Sequence, residues 1–223
     1  MLGLRRIIVV FITTVVDLIA PEKSSVRAYK NMSAVELRRF LSPATPPPHR
    51  FLSALFSYKD PRVREIVWEI KYRRHSALTE KIGVLLCEHV RESVRASMIS
   101  GKKIILAPVS SSAARRRERG FNQCEILCEA IMKSAATHTP DLFQYEPQLL
   151  VKIKHTPHQA DLPRAARLKN IVGAYAVRDP DLCRGLTVYI VDDVITTGAT
   201  LCEARRALLE AGAGSVSGFA IAH

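Results

Sequence analysis

The sequence predicts an α/β fold, a largely parallel central sheet flanked by helices, with a small helical accessory region at its N-terminal end. Three observations predict it. Apolar runs of strand length alternate with helix-period segments from Lys102 to the last residue. This alternation builds βαβ units, whose ligand sites lie at the carboxyl ends of parallel strands. The 223 residues are 48% apolar and 24% charged, the make-up of an ordinary soluble globular protein, which excludes disorder, collagen-like repeats and mucin-like stalks as the main architecture. At roughly 100–200 residues per domain, the length fits one principal domain with an appendage.

Residues 7–20, IIVVFITTVVDLIA, follow Arg5 and Arg6 in the manner of a signal peptide, but Asp17 breaks the run and no small-x-small cleavage site follows. Spanning a bilayer takes about 18 apolar residues. The segment is expected to pack on the protein's own body or on a partner; its basic flank also suits the alternative, a peripheral contact with an anionic inner-membrane surface. Ser33 and Glu36 form a capping-box pattern for a short helix ending near Leu41, and SPATPPP at 42–48 is a stiff, extended linker. Residues 1–48 are therefore assigned to an accessory region with its linker, and 50–223 to the working domain.

Val63, Ile66, Val67 and Ile70 have the spacing of an amphipathic helix, and Ile82, Leu85, Leu86, Val90 and Val94 mark a second. KYRRH at 71–75 is expected to be a solvated helix end that suits the helix dipole, ahead of a dedicated nucleic-acid site. Beyond them, 102–109, 149–154, 174–177, 187–193 and 215–223 are predicted strands, and 122–134 and 199–211 predicted helices. Gly212, Gly214 and Gly218 fit a helix stop, not a dinucleotide loop. The five dispersed cysteines lack a C-x-x-C pair and fit a reduced, cytoplasmic chain. Cys124 and Cys128 share a helix face, as a buried thiol pair ahead of a zinc site.

The chemistry concentrates in VYIVDDVITTGAT, residues 188–200. An apolar strand delivers Asp192 and Asp193 to its carboxyl edge, and a Thr-Thr-Gly-Ala-Thr turn then opens a helix. Backbone N–H groups there, with the hydroxyls of Thr196, Thr197 and Thr200, make a cradle for one phosphate monoester. Gly198 lets the backbone approach a ligand closely and adopt dihedrals closed to other residues. The carboxylates can accept hydrogen bonds from vicinal hydroxyls of an attached sugar, which describes a ribose 5-phosphate site.

This segment resembles the phosphoribosyl pyrophosphate (PRPP) signature of the type I phosphoribosyltransferases over all thirteen positions. RRRERGFNQ at 115–123 resembles the R-x-x-R-G-F-N-Q element of the competence-associated ComF family. Thr156, Gln159, Leu162, Arg167, Asn170 and Tyr175 reproduce a second element of that family, and YKDPRVREIVWEIKY at 58–72 resembles its early tyrosine, arginine and lysine-tyrosine helix. The resemblance covers about residues 56–223 and implies a type I phosphoribosyltransferase-like fold with a PRPP-binding core at about 102–223. Family members commonly begin with cysteine pairs that form a zinc module; this chain has no cysteine before Cys87, so no zinc is predicted. Lys152 and Lys154 stand where the family often has arginines, losing bidentate phosphate binding.

The resemblance further implies a set of roles. Asp192 and Asp193 are catalytic and face the ribose; Val194, Thr196, Thr197, Gly198, Ala199 and Thr200 bind the PRPP 5-phosphate. Val109, Ser110 and Ser111 form the pyrophosphate loop, with Arg119 and Arg167 as clamps. Mg²⁺ would arrive bound through PRPP, and no metal ligands on the protein are assigned. His155 and His158 flank a loop and are expected to be exposed. Arg115–Arg119 admit three roles: a pyrophosphate-facing loop, a contact for single-stranded DNA, or a solvated helix lead-in. The formal charge of +12 attracts polyanions without choosing among nucleic acid, an acidic membrane and a polyphosphate metabolite. Two functions stay open: a phosphoribosyltransferase acting on an unidentified acceptor and linked to DNA uptake, and a non-catalytic protein that senses PRPP or holds single-stranded DNA. Partners from DNA uptake or recombination and a homo-oligomer are compatible with both.

Overall fold

The computed structural model describes residues 23–96, 103–110, 116, 120–154 and 171–223. The described strands are Leu52–Phe56 (β1), Ile104–Pro108 (β2), Phe143–Tyr145 (β3), Leu150–Lys152 (β4), Tyr175–Val177 (β5), Thr187–Val194 (β6) and Ser215–Ala222 (β7). The described helices are Ser24–Asn31 (α1), Ala34–Phe40 (α2), Pro61–Trp68 (α3), Ser76–Ala96 (α4), Gln123–His138 (α5) and Ala199–Glu210 (α6), with a π-helical turn at Glu69–Arg73 continuing α3. Five strands form one sheet in the order β1-β7-β6-β2-β3, every pair parallel. β4 and β5 make a separate antiparallel ribbon.

Both faces of the sheet are covered, so its central strands carry continuous apolar runs. Ile104, Leu106, Tyr189 and Val191 point to one side and pack with α4 and α5. Ile105, Ala107, Val188 and Ile190 point to the other and pack with α6 and the ribbon. Tyr189 and Phe219 stack across β6 and β7 with ring centroids 4.9 Å apart. The α/β class with a mainly parallel sheet is as expected from the sequence. Two details differ. Segments 149–154 and 174–177 pair with each other and not with the sheet, and β1 and β3 have no strand prediction. β3 is three residues long and β1 is mostly half-buried, so neither shows a strand period by itself.

The connections place the functional edge. From β2 the chain winds outward to β3, whereas from β6 it winds the opposite way to β7. The winding therefore reverses between β2 and β6, and ligands of open α/β sheets bind outside the carboxyl ends at such a point. Here those ends are Pro108–Ser110 and Asp192–Val194.

At the N-terminal side, Ser33 and Glu36 form the capping box on α2 as expected, with N–H···O distances of 3.2 and 2.7 Å. Val26, Tyr29, Leu37 and Leu41 enter the same apolar cluster as α4. The extended segment after α2 docks along β1: Pro43 bridges Phe56, and Ala44 N–H donates to the Leu55 carbonyl at 3.1 Å. Asp60 clamps this arrangement. Its buried carboxylate caps α3 through Arg62 N–H, accepts the Ser42 N–H at 3.1 Å and pairs with the Arg62 guanidinium at 2.7 Å.

Those hydrogen bonds, the Arg62 side chain first, hold the Asp60 carboxyl well below the usual carboxylate range despite its burial. A depressed value contributes stability that is present above the unfolded-state value, about 3.9, and lost as pH falls towards the folded one. Asp60→Ala should lower stability by about 1–2 kcal/mol at pH 7, the size of a lost helix cap. Denaturant melts should show the gap between variant and native protein shrinking below pH 4; a gap constant with pH would exclude this role.

Candidate active site at the carboxyl edge of the sheet

Along β6 side chains alternate, so Tyr189, Val191 and Asp193 share the α4/α5 side while Val188, Ile190 and Asp192 share the α6 side. The two acids therefore sit in different surroundings. Both oxygens of Asp193 are used by the protein: Oδ1 accepts from Val194 N–H at 2.8 Å, and Oδ2 takes the Lys71 ammonium at 3.0 Å and the Gln123 amide at 3.3 Å. Asp192 Oδ1 accepts from Asp193 N–H at 2.8 Å and faces the Cys124 thiol at 3.6 Å. The side chains of Asp192 and Asp193 also lie close enough to share a hydrogen bond. Asp192, half-buried beside the buried Asp193, is the more accessible of the two carboxylates.

Electrostatics separate the pair in the same sense. Burial, and then the neighbouring Asp193 charge, push the Asp192 carboxyl above the usual carboxylate range. Burial acts on Asp193 too, but the Lys71 ammonium, together with the hydrogen bonds from Asp192 and Val194, outweighs it and holds this carboxyl low. Burial and the charges of Asp192 and Asp193 raise the Cys124 thiol well above its ordinary value, so it is a protonated donor and not a nucleophile.

Beyond β6 the chain turns into α6. Gly198 stands at the N-cap with φ +77°. A Cβ there would lie 2.8 Å from Leu52 Cδ1 and 3.2 Å from His49 Cδ2. This glycine is thus required by the chain's own packing on β1 as well as by its dihedral, and the space beside its Cα is filled by protein. No side chain caps α6 from the N-cap, and Thr197 Oγ1 accepts only the Ala199 N–H, at 3.3 Å. The following N–H groups of the first turn are therefore available to an anion. Thr196 is exposed, Thr197 and Thr200 half-buried, Val194 half-buried and Ala199 buried.

Across the switch point, Val109 continues β2 by donating its N–H to the Val191 carbonyl at 2.9 Å. Its carbonyl accepts from the Asn122 side chain at 3.1 Å, and Asn122 also caps α5 by accepting the Cys124 N–H. The Ser110 hydroxyl donates to the Leu150 carbonyl, and the Ser110 carbonyl accepts the Tyr175 hydroxyl, which fixes the ribbon to the end of β2. Arg116 pairs with Glu125. Ser111, Arg119, Arg167, His155 and His158 lie outside the described residues.

Three residues without an assigned role meet the predicted acids, Lys71, Gln123 and Cys124, and Asn122 ties the end of β2 to the start of α5 beside them. Lys71 corrects the expectation of a solvated helix end for KYRRH, because the π-turn brings its ammonium to Asp193. Its signal was the lysine-tyrosine pair of the 58–72 element. Asn122 and Gln123 end the R-G-F-N-Q element. The buried Cys124 and Cys128 are as expected.

No protein-family model matches the chain. The DNA utilization protein YhgH of Escherichia coli (strain K12) is 30% identical over 173 residues, covering 77% of this chain and 71% of that protein. This chain belongs to the ComF family. Competence protein ComFC of Bacillus subtilis (strain 168) is 31% identical over 121 residues, 54% of this chain and 45% of its own length. Among solved structures, glutamine phosphoribosylpyrophosphate amidotransferase from B. subtilis, complexed with ADP and GMP, aligns at a TM-score of 0.39 and 16% identity over 68% of this chain. The chain spans only 30% of that structure. In this ComF-family chain three elements distant in sequence converge: Lys71 of the early helix, Asn122 and Gln123 of the R-G-F-N-Q element, and Asp192–Thr200. The whole is a parallel sheet whose acid pair and Thr-Thr-Gly-Ala-Thr turn follow one strand at the switch point.

Proposed function

We propose that this chain binds PRPP at the carboxyl edge of its sheet and transfers the phosphoribosyl group to an unidentified acceptor, with release of pyrophosphate. One observation carries it: the half-buried Asp192 carboxylate stands beside a helix start whose N-cap, Gly198, brings no side chain and whose Thr197 hydroxyl takes only the Ala199 N–H, at the point where the winding of the sheet reverses. The 5-phosphate would take the turn from Thr196 to Thr200, and the ribose hydroxyls the Asp192 edge. Val109 to Ser111 would face the pyrophosphate, with Arg119 and Arg167 as clamps. In the transfer, the bond from the anomeric carbon to the pyrophosphate oxygen breaks as the acceptor's nucleophile bonds to that carbon. The Asp192 carboxylate, when ionised, would favour the positive charge that develops on the sugar.

Hard oxygen donors at this edge suit Mg²⁺ held through PRPP, and the ion would supply charge neutralisation for the leaving pyrophosphate. Among the described residues no three His, Cys, Asp or Glu side chains converge to hold a metal by themselves. We place this activity in the cytoplasm; no described helix is long and apolar enough to cross a membrane. The names of its relatives support a link to DNA uptake or competence, with PRPP sensing or single-strand binding as the non-catalytic form of the same link and residues 1–48 as the accessory part.

The experiment is a pyrophosphate-release assay with PRPP and Mg²⁺ across a panel of nucleobases and amines. Release with one acceptor class is the expected result. Saturable PRPP binding with no release from any acceptor would replace transfer by sensing.

A further inference from the structure

Lys71 comes to the acid pair from outside the PRPP segment, and its approach is built. α3 runs into a π-helical turn that ends at Arg74, which has φ 51°, a left-handed conformation that costs a non-glycine residue energy. π-turns are rare and concentrate at functional sites. Buried Glu69 opens the turn and pairs loosely with Arg73 at 3.9 Å, and Arg73 covers the Trp68 ring. Arg74 lies over Phe121, so the turn also touches the R-G-F-N-Q element. Between these anchors Lys71 extends to Asp193, the acid whose oxygens are otherwise satisfied by Val194 and Gln123.

We propose that Lys71 is a positioning residue of the site: its ammonium fixes Asp193 and cancels its charge, so that Asp192 alone faces a polyanionic ligand. This rests on the PRPP assignment above. PRPP carries several negative charges, and two adjacent uncompensated carboxylates would repel it; one compensated pair leaves a single acceptor for the sugar hydroxyls. Lys71 makes its ion pair with Asp193 at 3.0 Å, and only its weaker, longer-range charge reaches Asp192, so its main action is through Asp193.

A double-mutant cycle on the full chain tests this, with calorimetric titration of PRPP and Mg²⁺ into native protein, Lys71→Met, Asp193→Asn and the double variant. Lys71→Met should weaken PRPP binding at least tenfold, and Lys71→Arg should restore most of it. With Asp193→Asn already present, Lys71→Met should change affinity less than twofold. Equal losses in both backgrounds, or no loss in either, would overturn the proposal.

The ligand-free protein separates this role from the PRPP assignment. Carboxyl resonances of isotopically labelled aspartate should show Asp193 taking up its proton at higher pH in Lys71→Met than in native protein. An unmoved resonance rejects the role of Lys71, whereas native protein that fails to bind PRPP rejects the assignment. Thermal melts of each variant separate both outcomes from misfolding.

Discussion

Asp192→Asn is expected to move binding and stability in opposite directions. The substitution removes the more accessible carboxylate of the pair, replacing charged hydrogen bonds to sugar hydroxyls with neutral ones. At about 2–3 kcal/mol for charge-assisted bonds, PRPP affinity should fall roughly 30- to 150-fold. Stability should behave otherwise, because burial and Asp193 hold the Asp192 carboxyl above the ordinary range. A raised carboxylate disfavours folding: the penalty is absent below the unfolded value near 3.9 and grows as pH rises towards the folded one. Asparagine keeps the acceptor for Asp193 N–H and removes the charge. The variant should therefore melt at or above the native temperature at pH 7.5, and the difference should vanish towards pH 4. A variant that binds PRPP like native protein would remove Asp192 from the site. One that melts well below native at pH 7.5 would show that its charge supports the fold.

Gly83→Ala carries the second large effect. Gly83 lies where α4 meets α5, and a Cβ placed on it would come within 2.4 Å of Ala130 Cβ and 2.8 Å of the Ala130 backbone carbon. A backbone atom cannot rotate away, so the helices must separate. Overpacking of this kind costs about 1–3 kcal/mol, occasionally more, against a gain of up to about 1 from removing a helical glycine. We expect a net loss of about 1–2 kcal/mol and a Tm lower by roughly 2–8 °C. The displacement should also reach the ligand, since the first turn of α5 and its cap present Asn122, Gln123 and Cys124 to the site. PRPP affinity should fall together with stability, and adding Ala130→Gly should recover part of both. An unchanged Tm would mean that α4 and α5 do not meet as described.

The central strands, the helices that follow them and the acid-turn segment were legible because both faces of the sheet are buried and the PRPP-like segment is contiguous. What stayed hidden depended on contacts between distant residues. β1 becomes a strand only by lying along β7, and the ribbon of β4 and β5 has the same residue types as a sheet strand but a different partner. Lys71 escaped for a different reason. An α-helical period extrapolated past Trp68 leaves KYRRH at a solvated end, whereas the π-turn changes the direction of residues 69–73. The unequal roles of Asp192 and Asp193 were likewise invisible, since adjacent identical residues differ only in the face of β6 from which each projects.

Calorimetric titration of the full chain with PRPP and Mg²⁺ should give a saturable isotherm with one ligand per chain, weakened by Asp192→Asn in the range given above. Absence of saturable binding at millimolar PRPP, with the protein folded by thermal melt, would contradict the account.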